Sequence, residues 1–188
     1  IGEIKSKTIG ARAFTRPSEN TRLTLEYRAT EEFRRGGDQL DKPAHEANIT
    51  EQTDHQIHGG DINFNYWTDD HKHKLNVYTS LQDTRRDSYY GSGMDPNAYG
   101  STHDLVVLGG AQYTLGINKL LFMPAEFMVG AEYNYNYLRD ITLGYDHDYL
   151  QKVNIYSGFV QNEWRNDKWG FLICARIDKH SLVDDVIV

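Results

Sequence analysis

The chain has 188 residues, enough for one domain, and carries a formal net charge of -7 with a sequence pI ≈ 5.6. That acidic balance excludes nucleic acid as a main partner, because phosphate binding needs a concentrated basic face. The hydrophobic fraction is only 39%, yet it holds 13 Tyr, 7 Phe and 3 Trp, a mixture suited to a sheet with one face on lipid and the other in water.

The chain starts at Ile1, not Met, and a first β-like segment covers 4–14. A short connection, Thr15–Asn20, leads into 23–30, where Leu23, Leu25, Tyr27 and Ala29 alternate with Thr24, Glu26, Arg28 and Thr30. That period of two is the strand signal. Gly36–Thr53 reads as a long loop. Arg34-Arg35-Gly36-Gly37 is too short for an RNA-binding tract and reads as a strand end, and Asn48-Ile49-Thr50 matches a glycosylation sequon, an accident if the chain is bacterial. His55 and His58 sit where loop gives way to strand. In 61–66, Ile62, Phe64 and Tyr66 alternate with Asp61, Asn63 and Asn65, and the turn Thr68–Lys72 follows. His71 and His73 could share a metal, but no third ligand is evident, so they read as a solvated turn. In 75–82, Leu75, Val77 and Leu81 oppose Asn76, Ser80 and Gln82.

Asp87–Thr102 is a second long connection, followed by a β-like stretch over 104–116 and a short link, Ile117–Leu120. The longest apolar run, Leu120 to Ala125, is broken by Pro124 and falls far short of the ~20 residues of a membrane helix. The clearest alternation is 127–137: Phe127, Val129, Ala131, Tyr133, Tyr135 and Tyr137 on one face, Met128, Gly130, Glu132, Asn134 and Asn136 on the other. Asp140–Gln151 is a third long connection. A strand over 153–165, the turn Asn166–Lys168 and a strand over 169–178 complete the pattern, and Val186-Ile187-Val188 reads as another strand starting. Cys174, the single cysteine, excludes an internal disulfide and reads as a buried or lipid-shielded thiol.

The expected fold is therefore all-β: about eight antiparallel up-and-down strands. Short and long connections alternate along the chain, the rule for outer-membrane barrels with tight periplasmic turns and larger external loops. Trp164, Trp169, Tyr66, Trp67 and Phe122 gather at the short turns, and Tyr89, Tyr90, Tyr137 and Tyr149 near the opposite rim. They read as two aromatic girdles or as ordinary cross-strand pairs. Alternation alone leaves a soluble ligand-binding barrel, with its faces reversed, as an alternative. The strand length and the polar face, rich in Asn, Gln, Glu, Arg and Ser, favour the membrane form.

No nucleophile elbow, P-loop or dinucleotide fingerprint is present, and no residue set calls for a cofactor, a metal or enzyme chemistry. Asp95-Pro96-Asn97 and Asp146-His147-Asp148 offer oxygen ligands without an EF-hand spacing. Tyr89, Tyr90, Met94, Asp95, Asn97 and Tyr99, interleaved with Gly91, Gly93 and Gly100, read either as an adaptable binding loop or as a loop folded on its own tyrosines.

Three stretches carry a family likeness. Arg22 to Arg28 with Glu31 to Asp38, Tyr89 to Gly100, and Gln161 to Trp164 with Arg176 to His180 resemble TonB-dependent outer-membrane receptors of Bacteroides-type bacteria. The resemblance covers essentially the whole chain and implies that 1–188 is part of a barrel of about 22 strands, with the plug domain outside it. It implies a bacterial outer-membrane location and uptake of a large scarce nutrient such as an iron–siderophore complex or cobalamin. The implied partners are outer-membrane lipid, that small-molecule ligand, and the TonB complex through the absent plug. External loops would capture the ligand, and Gln82, Glu132, Asn134, Asn136 and Arg176 would line the lumen against the plug. A small complete eight-stranded barrel, adhesin-like or a membrane enzyme, is the competing expectation.

Overall fold

The computed structural model describes residues 2–182 and 186–187. The strands are β1 (Glu3–Thr15), β2 (Thr21–Gly37), β3 (Ile49–Trp67), β4 (His73–Ser92), β5 (Tyr99–Leu120), β6 (Met123–Thr142), β7 (His147–Arg165), β8 (Gly170–His180) and β9 (Val186–Ile187). They form one antiparallel sheet in sequence order, the arrangement that short connections between consecutive strands enforce. β1 pairs with β2 and β8 carries β9 on its far side, so among the described residues the sheet does not close on itself.

The strands are much longer than the alternating segments suggest. The expected long loops at 87–102 and 140–151 are mostly strand and the one at 36–53 is strand at both ends, so that only Asp38–Asn48, Gly93–Ala98 and Leu143–Asp146 connect the strands. The last of these is no longer than the opposite turn, Asn166–Trp169. Sharp corners at both ends are made by residues with left-handed backbone, among them His71, Leu121, Met94 and Asp146.

Register fixes the two faces. One row runs Thr15, Leu23, Phe64, Val77, Ala111, Ala131, Gly158, Ile177 across β1 to β8. The next row, on the other face, runs Phe14, Thr24, Asn63, Tyr78, Gly110, Glu132, Ser157, Asp178. On the apolar face, large side chains such as Leu25, Ile62, Val77, Val129, Phe171 and Ile173 are exposed, with no protein layer over them. A single sheet with a bare apolar face is not stable in water and calls for an apolar solvent. The expected compensation is visible in the dimensions. Phe127 to Tyr137 spans roughly 34 Å of strand, which at barrel tilt stands about 25 Å tall, the height of a membrane barrel's apolar band.

On the polar face, side chains bridge strands two apart. Lys74 on β4 meets Glu126 on β6 at 2.9 Å, and Arg176 on β8 meets Glu132 on β6 at 2.6 Å. Such reach across an intervening strand needs side chains that converge, so the polar face is the concave one. That is the reverse of a soluble barrel, whose apolar side chains converge inside.

Candidate functional site

Beyond the apolar belt the strands continue toward the loop end, and three connections fold onto one another there. Gly93 N–H donates to the Asn48 carbonyl at 2.8 Å, and Gly144 N–H to the Asn97 carbonyl at 3.1 Å. The Tyr145 hydroxyl donates to the Tyr90 carbonyl. The 3-10 turn Ala44–Glu46 covers the strand tips. At the centre, Tyr89 is completely buried against Ala44 and Ala98. Its ring meets Tyr99 edge-on at 4.9 Å, and its hydroxyl donates to the Asp95 carbonyl at 3.0 Å. A Cβ on Gly91 would lie 2.4 Å from that hydroxyl, so only glycine fits beneath it. Tyr99 is held in turn by a 2.9 Å hydrogen bond between its hydroxyl and His45 Nδ1.

The six sequence candidates therefore divide. Tyr89 has no surface to offer in this arrangement. The Asp95 carboxylate accepts from Asn97 N–H at 2.8 Å and shapes the turn. Tyr90, Met94 and Tyr99 remain 40%, 50% and 44% exposed at the loop end, with Tyr90 on the concave face beside the 59% exposed Tyr145 and Tyr99 on the convex face by register. Tyr145 escaped sequence reading because nothing in its local pattern ties it to residue 90. Below Tyr90, on the concave side, a cavity of about 400 Å³ is lined by Ile4, Arg34, Glu51, Thr53 and His55. The Asp38 carboxylate anchors the first connection, accepting from Asn48 Nδ2 at 2.9 Å and Ile49 N–H at 3.1 Å. Those bonds, the Asn48 one foremost, hold its pKa below the ordinary carboxylate value.

The concave wall is a polar lattice. The Tyr78 hydroxyl donates to Glu132 over the bare Gly110, whose added Cβ would lie 2.6 Å from the Tyr78 ring. Arg176 bonds Glu132 at 2.6 Å, Asp178 at 2.8 Å and the Ser157 hydroxyl at 2.8 Å. Nearer the rim, Asp140 accepts from Thr102 and lies 3.6 Å from Arg86 and 3.3 Å from His147. Gln82, Glu132, Asn134, Asn136 and Arg176 all share this face by register. Cys174 is also on it, exposed and opposite Gln161, which corrects the expectation of a buried or lipid-shielded thiol. Its neighbours Ile173 and Ala175 point to the apolar face, as the alternation over 169–178 sets them, and the thiol follows that parity and not the apolar composition of the run. His71 sits at a turn corner, and His73 bonds the Tyr113 hydroxyl. Among the described residues no three metal-ligating side chains converge.

No known protein family and no curated protein sequence matches the chain. Solved structures do. The siderophore receptor PirA from Pseudomonas aeruginosa superposes with a TM-score of 0.75 at 12% identity, over 98% of this chain and 29% of that one. The translocator domain of autotransporter NalP from Neisseria meningitidis superposes with a TM-score of 0.53 at 12% identity, over 100% of this chain and 64% of that domain. The fold is that of an outer-membrane β-barrel wall. The chain spans less than a third of the receptor and under two thirds of the translocator domain, and at this identity the likeness is one of fold alone.

Proposed function

We propose that the chain is a section of the barrel wall of a TonB-dependent receptor in the bacterial outer membrane. In this reading it takes part in uptake of a large scarce nutrient of the iron–siderophore or cobalamin class and carries out no bond chemistry. The observation that carries it is the division of each long strand into an apolar belt of membrane height and a water-facing extension topped by a folded aromatic rim. Outer-membrane lipid contacts the belt. Ligand meets the rim through Tyr90 and Met94, at the top of the polar concave wall, while Tyr99 takes part from the convex side of the same loop cluster. The wall faces a plug lying outside this chain, through which TonB would act.

A smaller closed barrel is the second reading, supported by the likeness to the translocator domain. The open sheet, the ninth strand beyond β8 and the better superposition on the receptor support the larger barrel. The test is binding of a panel of ferric siderophores and cobalamin to the full-length protein and to its Tyr90→Ala, Met94→Ala double variant. Loss of about tenfold in affinity, roughly 1.4 kcal/mol, is expected for the cognate ligand. Failure of every panel member to bind the wild type would remove the uptake reading.

A further inference from the structure

We propose that the concave wall carries a seat for the primary ammonium group of a cationic ligand, built from Glu51, Thr53 and Tyr90 in the cavity below the rim. The inference rests on the uptake reading above and names the charge that its ligand presents.

The first support is an uncompensated carboxylate. On the strands of the concave wall above Gln82 and Asn136, Glu32, Glu51, Asp104 and Asp140 face two guanidinium groups, Arg34 and Arg86, by register. Both cations are committed. Arg34 Nε donates to Glu32 at 2.7 Å, while Arg86 Nη2 donates to the Thr102 hydroxyl at 2.7 Å and lies 3.6 Å from Asp140. Among the described residues Glu51 and Asp104 are left without a cation of their own, and of these two Glu51 lines the cavity. The other basic residues of the cavity are placed elsewhere. Arg35 has the convex parity and its Nη2 donates to the Gln39 carbonyl at 3.4 Å, and His55 lies four residues along β3, roughly 13 Å away.

The second support is what surrounds that carboxylate. Glu51 stands between Gly36 on β2 and Tyr90 on β4, all on the concave face. Gly36 leaves the space on its side open, since an added Cβ there would meet nothing within 4 Å. Tyr90, directly opposite, brings an exposed ring beside the carboxylate, with the two Cβ atoms roughly 5 Å apart as in any facing pair. Thr53, two residues along β3, adds a hydroxyl to the cavity, and the exposed Ile4 and Ile49 border it on the same face.

Together these groups match a primary alkylammonium. Its N–H donors meet the Glu51 carboxylate and the Thr53 hydroxyl, and its charge is attracted to the Tyr90 ring. Its methylene stem lies on Ile4 and Ile49, as the stem of a lysine lies on apolar surface. An anionic group in the same place would face the unpaired Glu51 and be repelled. A quaternary ammonium has no N–H to offer the two oxygens. The ligand is therefore a nutrient complex that carries a free amine.

The test uses full-length protein in detergent and a ferric trihydroxamate complex with a free terminal amine, beside the same complex N-acetylated. The amine form should bind about tenfold more tightly, roughly fivefold from the carboxylate and twofold from the ring at a solvent-accessible site. Glu51→Gln should weaken binding of the amine form about fivefold and leave the acetylated form unchanged. Glu31→Gln, which removes a carboxylate from the convex face, should leave the preference intact. Equal affinities, a preference for the acetylated complex, or a preference that survives in Glu51→Gln would overturn the inference. Should neither complex bind, the seat is read with pentylammonium and N-acetylpentylamine by saturation-transfer NMR. Stronger transfer to pentylammonium in the wild type and not in Glu51→Gln upholds the seat, and the absence of that difference overturns it. The uptake reading fails separately, if no member of the siderophore and cobalamin panel binds the wild type.

Discussion

The belt half and the rim half of this sheet run on the same strands and the same hydrogen-bond ladder, yet they are stabilised in opposite ways. In the belt, one face is bare of protein and its order depends on lipid, while the concave side is a lattice of ion pairs around Glu132 and Arg176. In the rim half, the belt face turns charged, as at Arg85, His103 and Arg139, and the apolar packing is drawn into one cluster of Ala44, Tyr89 and Ala98. Membrane depth, not strand length, decides where apolar residues alternate.

The largest effect expected is in the rim. Tyr89→Ala removes the one large side chain that is fully buried among the described residues and should cost about 3–5 kcal/mol of local stability. Amides of 93–98 and 44–47 would then exchange with solvent at least a hundredfold faster, while β6 amides at 127–137 keep their protection. Uniform loss of protection along the strands would mean that the two halves form a single cooperative unit and that the contrast drawn here is false.

The belt is tested by charge. Val129 lies on the bare face between Tyr113 and Val160, so Val129→Arg should cost about 2–4 kcal/mol in unfolding from lipid vesicles. Ser101→Arg, on the same face but above the belt between Asp87 and Ile141, should cost no more than about 0.5 kcal/mol. Equal penalties would place both residues in one solvent.

The same contrast explains what the sequence could reveal. The belt was legible because lipid on one side and water on the other impose a period of two, as in Phe127 to Tyr137. Above the belt both faces meet water, the period vanishes, and 36–37, 49–53 and 87–92 look like loop although they are strand. Glycines at 36, 37, 91 and 100 add to the disguise. Those at 37, 91 and 100 stand there for reasons that only the fold displays, such as the space Gly91 leaves for Tyr89. Of the candidate binding residues, the cluster was locatable by its composition. Its division into a buried Tyr89 and an exposed Tyr90 was not, because burial there comes from Ala44, more than forty residues earlier in the chain. Cys174 failed for a related reason: in a run as apolar as 171–175, parity and not composition decides the face.

The smallest effect expected is one of pH, and it is again confined to the rim. Asp38 is held below its ordinary pKa by donors from Asn48 and Ile49. A carboxylate depressed by folding contributes stability above its unfolded pKa, about 3.9, and loses it as pH falls through the lower folded value. The connection Asp38–Asn48 should therefore be unaffected from neutral pH down to about 4 and loosen below that, seen as faster exchange at the Ile49 amide. Asp38→Asn should abolish the pH dependence, since an amide has no charge to lose in this range. The carboxylates of the belt, Glu132 above all, are paired on the concave wall and do not touch Asp38, so Asp38→Asn should leave the exchange of the β6 amides between Phe127 and Tyr137 unchanged at every pH. A change in β6 protection in that variant would show that the rim anchors the strands below it, and that the two solvents are mechanically joined through the ladder.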